Sequence, residues 1–261
     1  MGGLEQTRTV ALASGGAMPV VGLGTWQLRG QRGYEAIRHA LEAGYRHIDT
    51  ATMYGNEADV GRALRDSGVD RAEVFVTTKL PPGNAGRERE TLTASLRALG
   101  TEYVDLWLVH WPPRSTAAPK TWQAFLAAQE QGLVKAVGVS NYRVDQIDEL
   151  IEETGQAPVV NQIPFSPSRF DAKLLADHSE RRVVVEGYSP LKDTDLGSRV
   201  LAGIASRHGV SPAQVVLRWY VERAIPVIPR SGNPQRITAN LDVFGFSLDA
   251  DEVASVDRMS A

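Results

Sequence analysis

"YRHIDTATMYGNEADVGRALRDSG" (residues 45–68) compresses a strand, a turn and a helix into 24 residues. "YRHID" is rich in β-formers, and "NEADVGRALRDSG" carries an apolar stripe of helical period. Between them, "DTATMYGNE" (49–57) places an acid, Asp49, and a phenol, Tyr54, on one strand-to-helix turn. A loop phenol by itself more often packs than reacts, so its meaning depends on what the rest of the chain brings beside it.

The same grammar recurs along the chain. Strand candidates lie at 20–26, 45–50, 73–80, 103–110, 134–141, 158–163, 183–189 and 225–231. Helical periodicity falls between them in "YEAIRHALEAG", "ETLTASLRALG" and "TWQAFLAAQEQG", each ending on a glycine suited to a C-terminal cap (Gly44, Gly100, Gly132). "SPAQVVLRWYVERA" opens with Ser211 as N-cap and Pro212 in the first turn. "NPQRITANLDVF" and "LDADEVASVDRM" are the last helix candidates. Eight such units in about 250 residues is the arithmetic of a (β/α)8 TIM barrel. The rival α/β layout, a doubly wound sheet, usually shows GxGxxG after its first strand. Here Gly22-Leu23-Gly24-Thr25-Trp26-Gln27 lacks the last glycine. Upstream, "TRTVALASGGAMPV" alternates on both sides of Ser14-Gly15-Gly16, a hairpin signal. The expected architecture is one domain, residues 1–261, with the hairpin closing the bottom of the barrel.

Composition removes whole classes of function. There is no cysteine, so disulfides, thiol catalysis and thiolate metal sites are excluded. The five histidines (His39, His47, His110, His178, His208) are too scattered for a paired metal motif, and no metal is expected. Net charge is −3, with no basic run to suggest nucleic acid. No apolar run reaches membrane-spanning length, and the start "MGGLEQTRTV" has no signal-peptide core. A cytoplasmic monomer acting on a small molecule is the expectation.

Polar residues interrupt the strand pattern at regular intervals. Asp49, Lys79, His110 and Asn141 are 30, 31 and 31 residues apart. One βα unit of a 250-residue barrel is also roughly 30 residues long, so each step moves one strand around the ring and returns to the same rim. Gln162, Tyr188 and Arg230 extend the series. The spacing predicts Lys79 beside Asp49, Tyr54 above them and His110 opposite. An ammonium near a phenol favours phenolate, so Lys79 is expected to lower the Tyr54 pKa. Such a group polarises and protonates a carbonyl, and the atom added to carbon comes from elsewhere. Taken singly, Asp49–Lys79 could be a structural ion pair and His110 a satisfied core histidine. Their joint arrival at one rim argues otherwise.

"VIPRSGNPQRITAN" closes the last strand and opens a helix. Ser231, Gly232 and the helix start offer N–H groups and a positive dipole end to a phosphate. Arg230 and Arg236 add two guanidiniums suited to a phosphate monoester. Arg236 could also lie on a purine, with Asn240 one turn later reaching its edge. Tyr188 could stack on a flat ring.

With these blocks together, the chain resembles the aldo-keto reductase family, in its bacterial diketo-gluconate-reductase-like branch. "GLGTW" (22–26), "DTATMYGNE" (49–57), "TTKL" (77–80), "LVHWP" (108–112), "VGVSNY" (137–142), "NQI" (161–163), "YSPL" (188–191) and "IPRSGNPQRITAN" (228–240) follow the family order. The resemblance implies NADPH-dependent reduction of aldehydes and ketones. It makes Tyr54 the general acid, tuned by Lys79 and Asp49, with His110 orienting the carbonyl. It implies NADPH contacts from Gly24, Thr25 and Trp26; from Ser140, Asn141 and Gln162 to the carboxamide; and from Tyr188 stacked on the nicotinamide. Ser189 and Leu191 would line the pyrophosphate; Arg230, Ser231, Arg236 and Asn240 would take the 2′-phosphate and adenine. Trp26, Tyr54, His110 and Trp111 would wall the substrate pocket. Relative to the family, Arg230 stands where lysine is more usual, the segments "WPPRSTAAPKTW" and "PLKDTDLGSR" are short, and no tail follows the last helix. These departures imply an open pocket with broad substrate selection. Two rival readings are a cofactor-binding regulatory subunit on the same barrel and a phosphate-handling barrel isomerase using Lys79.

Overall fold

A computed structural model describes residues 9–113 and 117–260. The chain start and residues 114–116 of the expected short loop lie outside the described residues. A hairpin comes first: β1 (Thr9–Ala11) pairs antiparallel with β2 (Ala17–Pro19). Gly15 and Gly16 turn it at φ 90° and 80°, a region that favours glycine. Eight parallel strands follow: β3 (Leu23–Gly24), β4 (His47–Asp49), β5 (Phe75–Leu80), β6 (Val104–Val109), β7 (Val134–Ser140), β8 (Val160–Pro164), β9 (Val184–Tyr188) and β10 (Val227–Ile228). They pair in sequence order. The ring closes between its ends, where Gly22 N–H donates to Val227 O (2.8 Å) and Val227 N–H to Val20 O (2.7 Å). The (β/α)8 barrel expected from the spacing is therefore the fold.

The first and last strands are shorter than the sequence predicts. Pro226 and Pro229 flank β10 and have no N–H to give a ladder, which confines regular pairing to two residues.

Ten helices surround the barrel among the described residues: α1 (Gly30–Glu42), α2 (Glu57–Asp66), α3 (Glu88–Leu99), α4 (Pro119–Glu130), α5 (Val144–Thr154), α6 (Ala172–Glu180), α7 (Arg199–His208), α8 (Pro212–Glu222), α9 (Pro234–Leu241) and α10 (Ala250–Asp257). Ser211 caps α8 in a reciprocal box with Gln214, as its sequence promises. Gly100 caps α3 at φ 67°; Gly44 and Gly132 fall one residue past their caps, also at positive φ. The helices α5, α6 and α7 are additions to the sequence reading. In α6 only His178 is fully buried, so its apolar stripe is faint.

Side chains alternate across a strand, and that parity sorts the barrel interior. Low in the barrel, Leu106, Leu108, Ala136 and Val160 form an apolar plug with Leu12 and Met18 of the hairpin. The hairpin thus closes the bottom. Further up the same inward faces stand His110, Ser140 and Gln162, joined by Glu186 of β9. On β4 and β5 the inward positions are His47, Asp49, Thr77 and Lys79. The outward-facing residues pack under the helices, as where Trp107 and Phe125 stack with ring centroids 3.6 Å apart.

Candidate active site at the carboxyl rim of the barrel

Each polar residue of the 49–57 turn has a structural job. Thr50 Oγ1 donates to Asn56 Oδ1 (2.7 Å), and Asn56 Nδ2 donates to the carbonyls of Thr25 and Leu28, 2.8 Å each. This staples the Trp26 loop to the Tyr54 loop. Thr52 Oγ1 donates to Lys79 O (3.0 Å), fixing the turn over β5. Gly55 makes the reversal at φ 65°. Glu57 accepts from Thr78 Oγ1 at 2.6 Å, which ties α2 to the outer face of β5.

The register pairs Asp49 with Thr77, so Lys79 stands two residues further along the same inward face and its long side chain reaches Asp49. Lys79 Nζ donates to both Asp49 carboxylate oxygens (2.6 and 2.7 Å) and to Thr50 O (2.9 Å). The ammonium is completely buried, so desolvation pulls its pKa down, but Asp49 and Tyr54 outweigh this and the net direction is up. Lys79 stays charged. Its Nζ lies 5.1 Å from the centroid of the Tyr54 ring. Tyr54 meets His110 edge to face across the mouth, ring centroids 5.7 Å apart.

Lys79 does act to lower the Tyr54 pKa, as expected, but the net direction is up. Burial pushes the phenol up, and the pull of Lys79 does not overcome it, in part because Asp49 acts in the opposite sense. Tyr54 therefore holds its proton until something more basic takes it.

His110 is neutral: burial and the Lys79 charge depress its pKa to about 3. Its Nδ1 is buried with no hydrogen-bond partner. A buried N–H without a partner is rarer than an acceptor without one, so the proton is assigned to Nε2, where it can be donated.

Beside the tetrad lies a ledge of amide and hydroxyl groups. Asn141, at φ 64°, donates to His110 O (3.1 Å) and Ser140 Oγ (2.9 Å), and its Oδ1 accepts from Tyr188 Oη (2.8 Å). Ser140 Oγ donates to Gln162 O at 2.8 Å. Gln162 gives its two amide protons to Asp49 and Glu186, 2.8 Å in each case. Further along the rim, Arg230 and Arg236 are exposed and Ser231 and Asn240 are buried beside them. Arg230 Nη2 reaches Gln27 Oε1 at 3.4 Å. Asn233 caps α9 by accepting from the Arg236 N–H. Thr25 is buried with its Oγ1 unpartnered, Gly24 lies under the Ile228 carbonyl, Ser189 is exposed at φ 56°, and Leu191 leans on the core. Trp26 and Trp111 stand open at the mouth, 54% and 46% exposed.

A model of the aldo/keto reductase family matches residues 20–261. The chain belongs to that family. It is 40% identical over 254 residues to methylglyoxal reductase DkgA of Escherichia coli K12, covering 96% of this chain and 92% of the relative. A crystal structure of an aldo/keto reductase from Brucella melitensis superposes with a TM-score of 0.93 at 40% identity, covering 97% of this chain and 98% of that one. A Bombyx mori aldo-keto reductase in complex with NADP superposes at 0.90 and 32% identity, covering 97% of this chain and 93% of that one.

An aldo/keto reductase needs room for an extended dinucleotide, and the residues present fit one. The unpartnered Thr25 hydroxyl, the amide ledge and the two exposed guanidiniums lie along a single rim. The sequence reading missed three buried polar residues in this reductase: Asn56, His47 and Glu186. Asn56 lay within the quoted turn. His47 and Glu186 sit two residues before Asp49 and Tyr188, so period-two parity alone would have placed both on inward faces one layer below the rim.

Proposed function

We propose that this chain reduces small aldehydes and dicarbonyls to alcohols with NADPH. The observation that carries the reading is the buried Lys79–Asp49 pair beneath Tyr54, with neutral His110 across the same mouth. NADPH supplies hydride at the nicotinamide C4 when bound. The protein's own contribution is to hold the carbonyl and protonate it. His110 donates from Nε2 to the carbonyl oxygen and sets its direction. As that oxygen becomes alkoxide-like it grows far more basic than a phenolate, so Tyr54 releases its proton to it. The raised Tyr54 pKa keeps the acid loaded at neutral pH. Lys79, held in place by Asp49, then stabilises the phenolate left behind.

On the nucleotide side, Ser140, Asn141 and Gln162 would hold the carboxamide and Tyr188 would cover the ring. Ser231, Arg230, Arg236 and Asn240 would take the phosphate and base, with Gly24, Thr25, Trp26, Ser189 and Leu191 along the path. Two open tryptophans at the mouth favour small substrates without strict shape selection. The identity to a methylglyoxal reductase supports a small dicarbonyl. Titration with NADPH, followed by nicotinamide absorbance over a panel of aldehydes that includes methylglyoxal, tests the reading. Tight binding with turnover is the expected result. Binding with no turnover on any carbonyl would leave a regulatory subunit, and no binding would overturn the reading altogether.

A further inference from the structure

We propose that Glu186 is a positioning residue: together with Asp49 it locks the Gln162 amide so that its carbonyl oxygen faces the rim and receives the nicotinamide carboxamide. The inference rests on the nucleotide reading above and adds a residue that the tetrad chemistry does not use.

Glu186 lies on β9, fully buried, inside the barrel. One oxygen, Oε2, accepts from Gln162 Nε2 at 2.8 Å. The other, Oε1, has no hydrogen-bond partner; His47 Nε2 lies 3.7 Å away. His47 is neutral, held near pKa 3 by burial, and offers the carboxyl no charge. Space around the pair is fixed, since a Cβ on Gly22 would sit 2.5 Å from His47 Nδ1. A carboxyl so placed is expensive to bury, and its one polar contact is Gln162.

That contact decides an orientation. The terminal torsion of glutamine is broad, so its packing alone does not choose which end of the amide points where. Here Nε2 lies between two carboxyl groups. Reversing the amide would set its carbonyl oxygen against Asp49, already committed as a carboxylate to Lys79. The two acids therefore draw both N–H groups down into the barrel. The carbonyl oxygen is left as the acceptor for an N–H group above. Without Glu186, one anchor remains and the amide is free to swing about it. Burial pushes the Glu186 pKa up to about 8, with the Asp49 charge adding. Protonated or ionised, the carboxyl retains an oxygen for Gln162, so the lock persists through neutral pH.

The test is NADPH affinity, by fluorescence, in wild type, Glu186→Gln, Glu186→Met, Gln162→Met and the double Met variant. The Gln variant keeps an acceptor for Gln162 and should bind within about twofold of wild type. Glu186→Met should bind about five- to tenfold more weakly, the worth of one net hydrogen bond. The double variant should be no weaker than Gln162→Met alone, because the two residues act as one unit. Wild-type affinity in Glu186→Met, equal loss in the Gln and Met variants, or additive losses in the double variant would each overturn the proposal. Should Glu186→Met not fold, Glu186→Ala makes the same truncation without bulk. Undiminished NADPH binding in Gln162→Met would instead remove Gln162 from the nucleotide site and overturn the reading beneath.

Discussion

Lys79 Nζ and the Asp49 carboxylate meet at 2.6 and 2.7 Å with both side chains sealed from water. A buried pair of this kind is costly to break because one charge is left without its partner. Asp49→Asn should destabilise the fold by about 3–5 kcal/mol in denaturant unfolding. Adding Lys79→Met should restore much of that stability and none of the activity. A double variant as unstable as Asp49→Asn alone would show that the pair contributes nothing as a pair.

Tyr54→Phe should cut turnover by about 10²–10⁴-fold, the ordinary range for loss of a general acid. NADPH affinity should hold, since the hydroxyl is directed at the carbonyl. Because burial raises the phenol pKa, the reduction rate should show no loss of an acidic group near pH 7. Glu186→Gln is the background for that profile, because it removes the neighbouring carboxyl that titrates near 8. A break near neutrality in that background would mean that Lys79 controls the phenol after all.

Below about pH 8, two sets of buried groups should move stability in opposite directions. Glu186 titrates near 8 in the fold against 4.5 ordinarily, so between those values the folded state holds a proton the unfolded chain has lost. Stability from this group declines as pH rises through that window. It faces Asp49, Lys79, Gln162 and His47, and Glu186→Gln should remove the part of the Tm profile that declines between pH 4.5 and 8. His47 and His110 titrate near 3 against 6.5, so the unfolded chain binds protons that the fold refuses. Their contribution is lost as pH drops below 6.5, and His110→Gln should soften the acid limb. Unchanged Tm profiles in both variants would contradict these assignments.

Replacing Arg230 and Arg236 with serine should weaken NADPH by about 100-fold, at roughly tenfold per charge-assisted contact. NADH, which lacks the 2′-phosphate, should lose less than about threefold. Equal losses measured for the two nucleotides would show that these guanidiniums do not read the phosphate.

Asn56 is buried and bonds to Thr25, Leu28 and Thr50 at once. Asn56→Ala should cost about 2–3 kcal/mol, since it strands two buried carbonyls. Because it unpins the Trp26 loop from the Tyr54 loop, KM for carbonyl substrates should rise along with it. Loss of stability with KM unchanged would separate the staple from the site.

The recurrent strand-and-helix grammar, the 30-residue spacing of Asp49, Lys79, His110 and Asn141, and the glycine-bearing helix ends were all present in the linear chain. They follow from local rules: period two in strands, period 3.6 in helices, and the backbone limits of glycine and proline. That much determined the barrel, the rim and the four residues that face each other there. Of the helices that escaped, α6 buries only His178 fully and so carries a weak stripe.

Burial decided the rest. The chain shows that a lysine and a phenol meet, but the net direction of the phenol's pKa depends on how much water the closed ring excludes and on how tightly Asp49 already holds the ammonium. Likewise, Glu186 is one more acid in the sequence until eight strands close around it and leave Gln162 as its hydrogen-bond partner. Spacing is a property of the chain; desolvation exists only once distant segments have shut out the solvent.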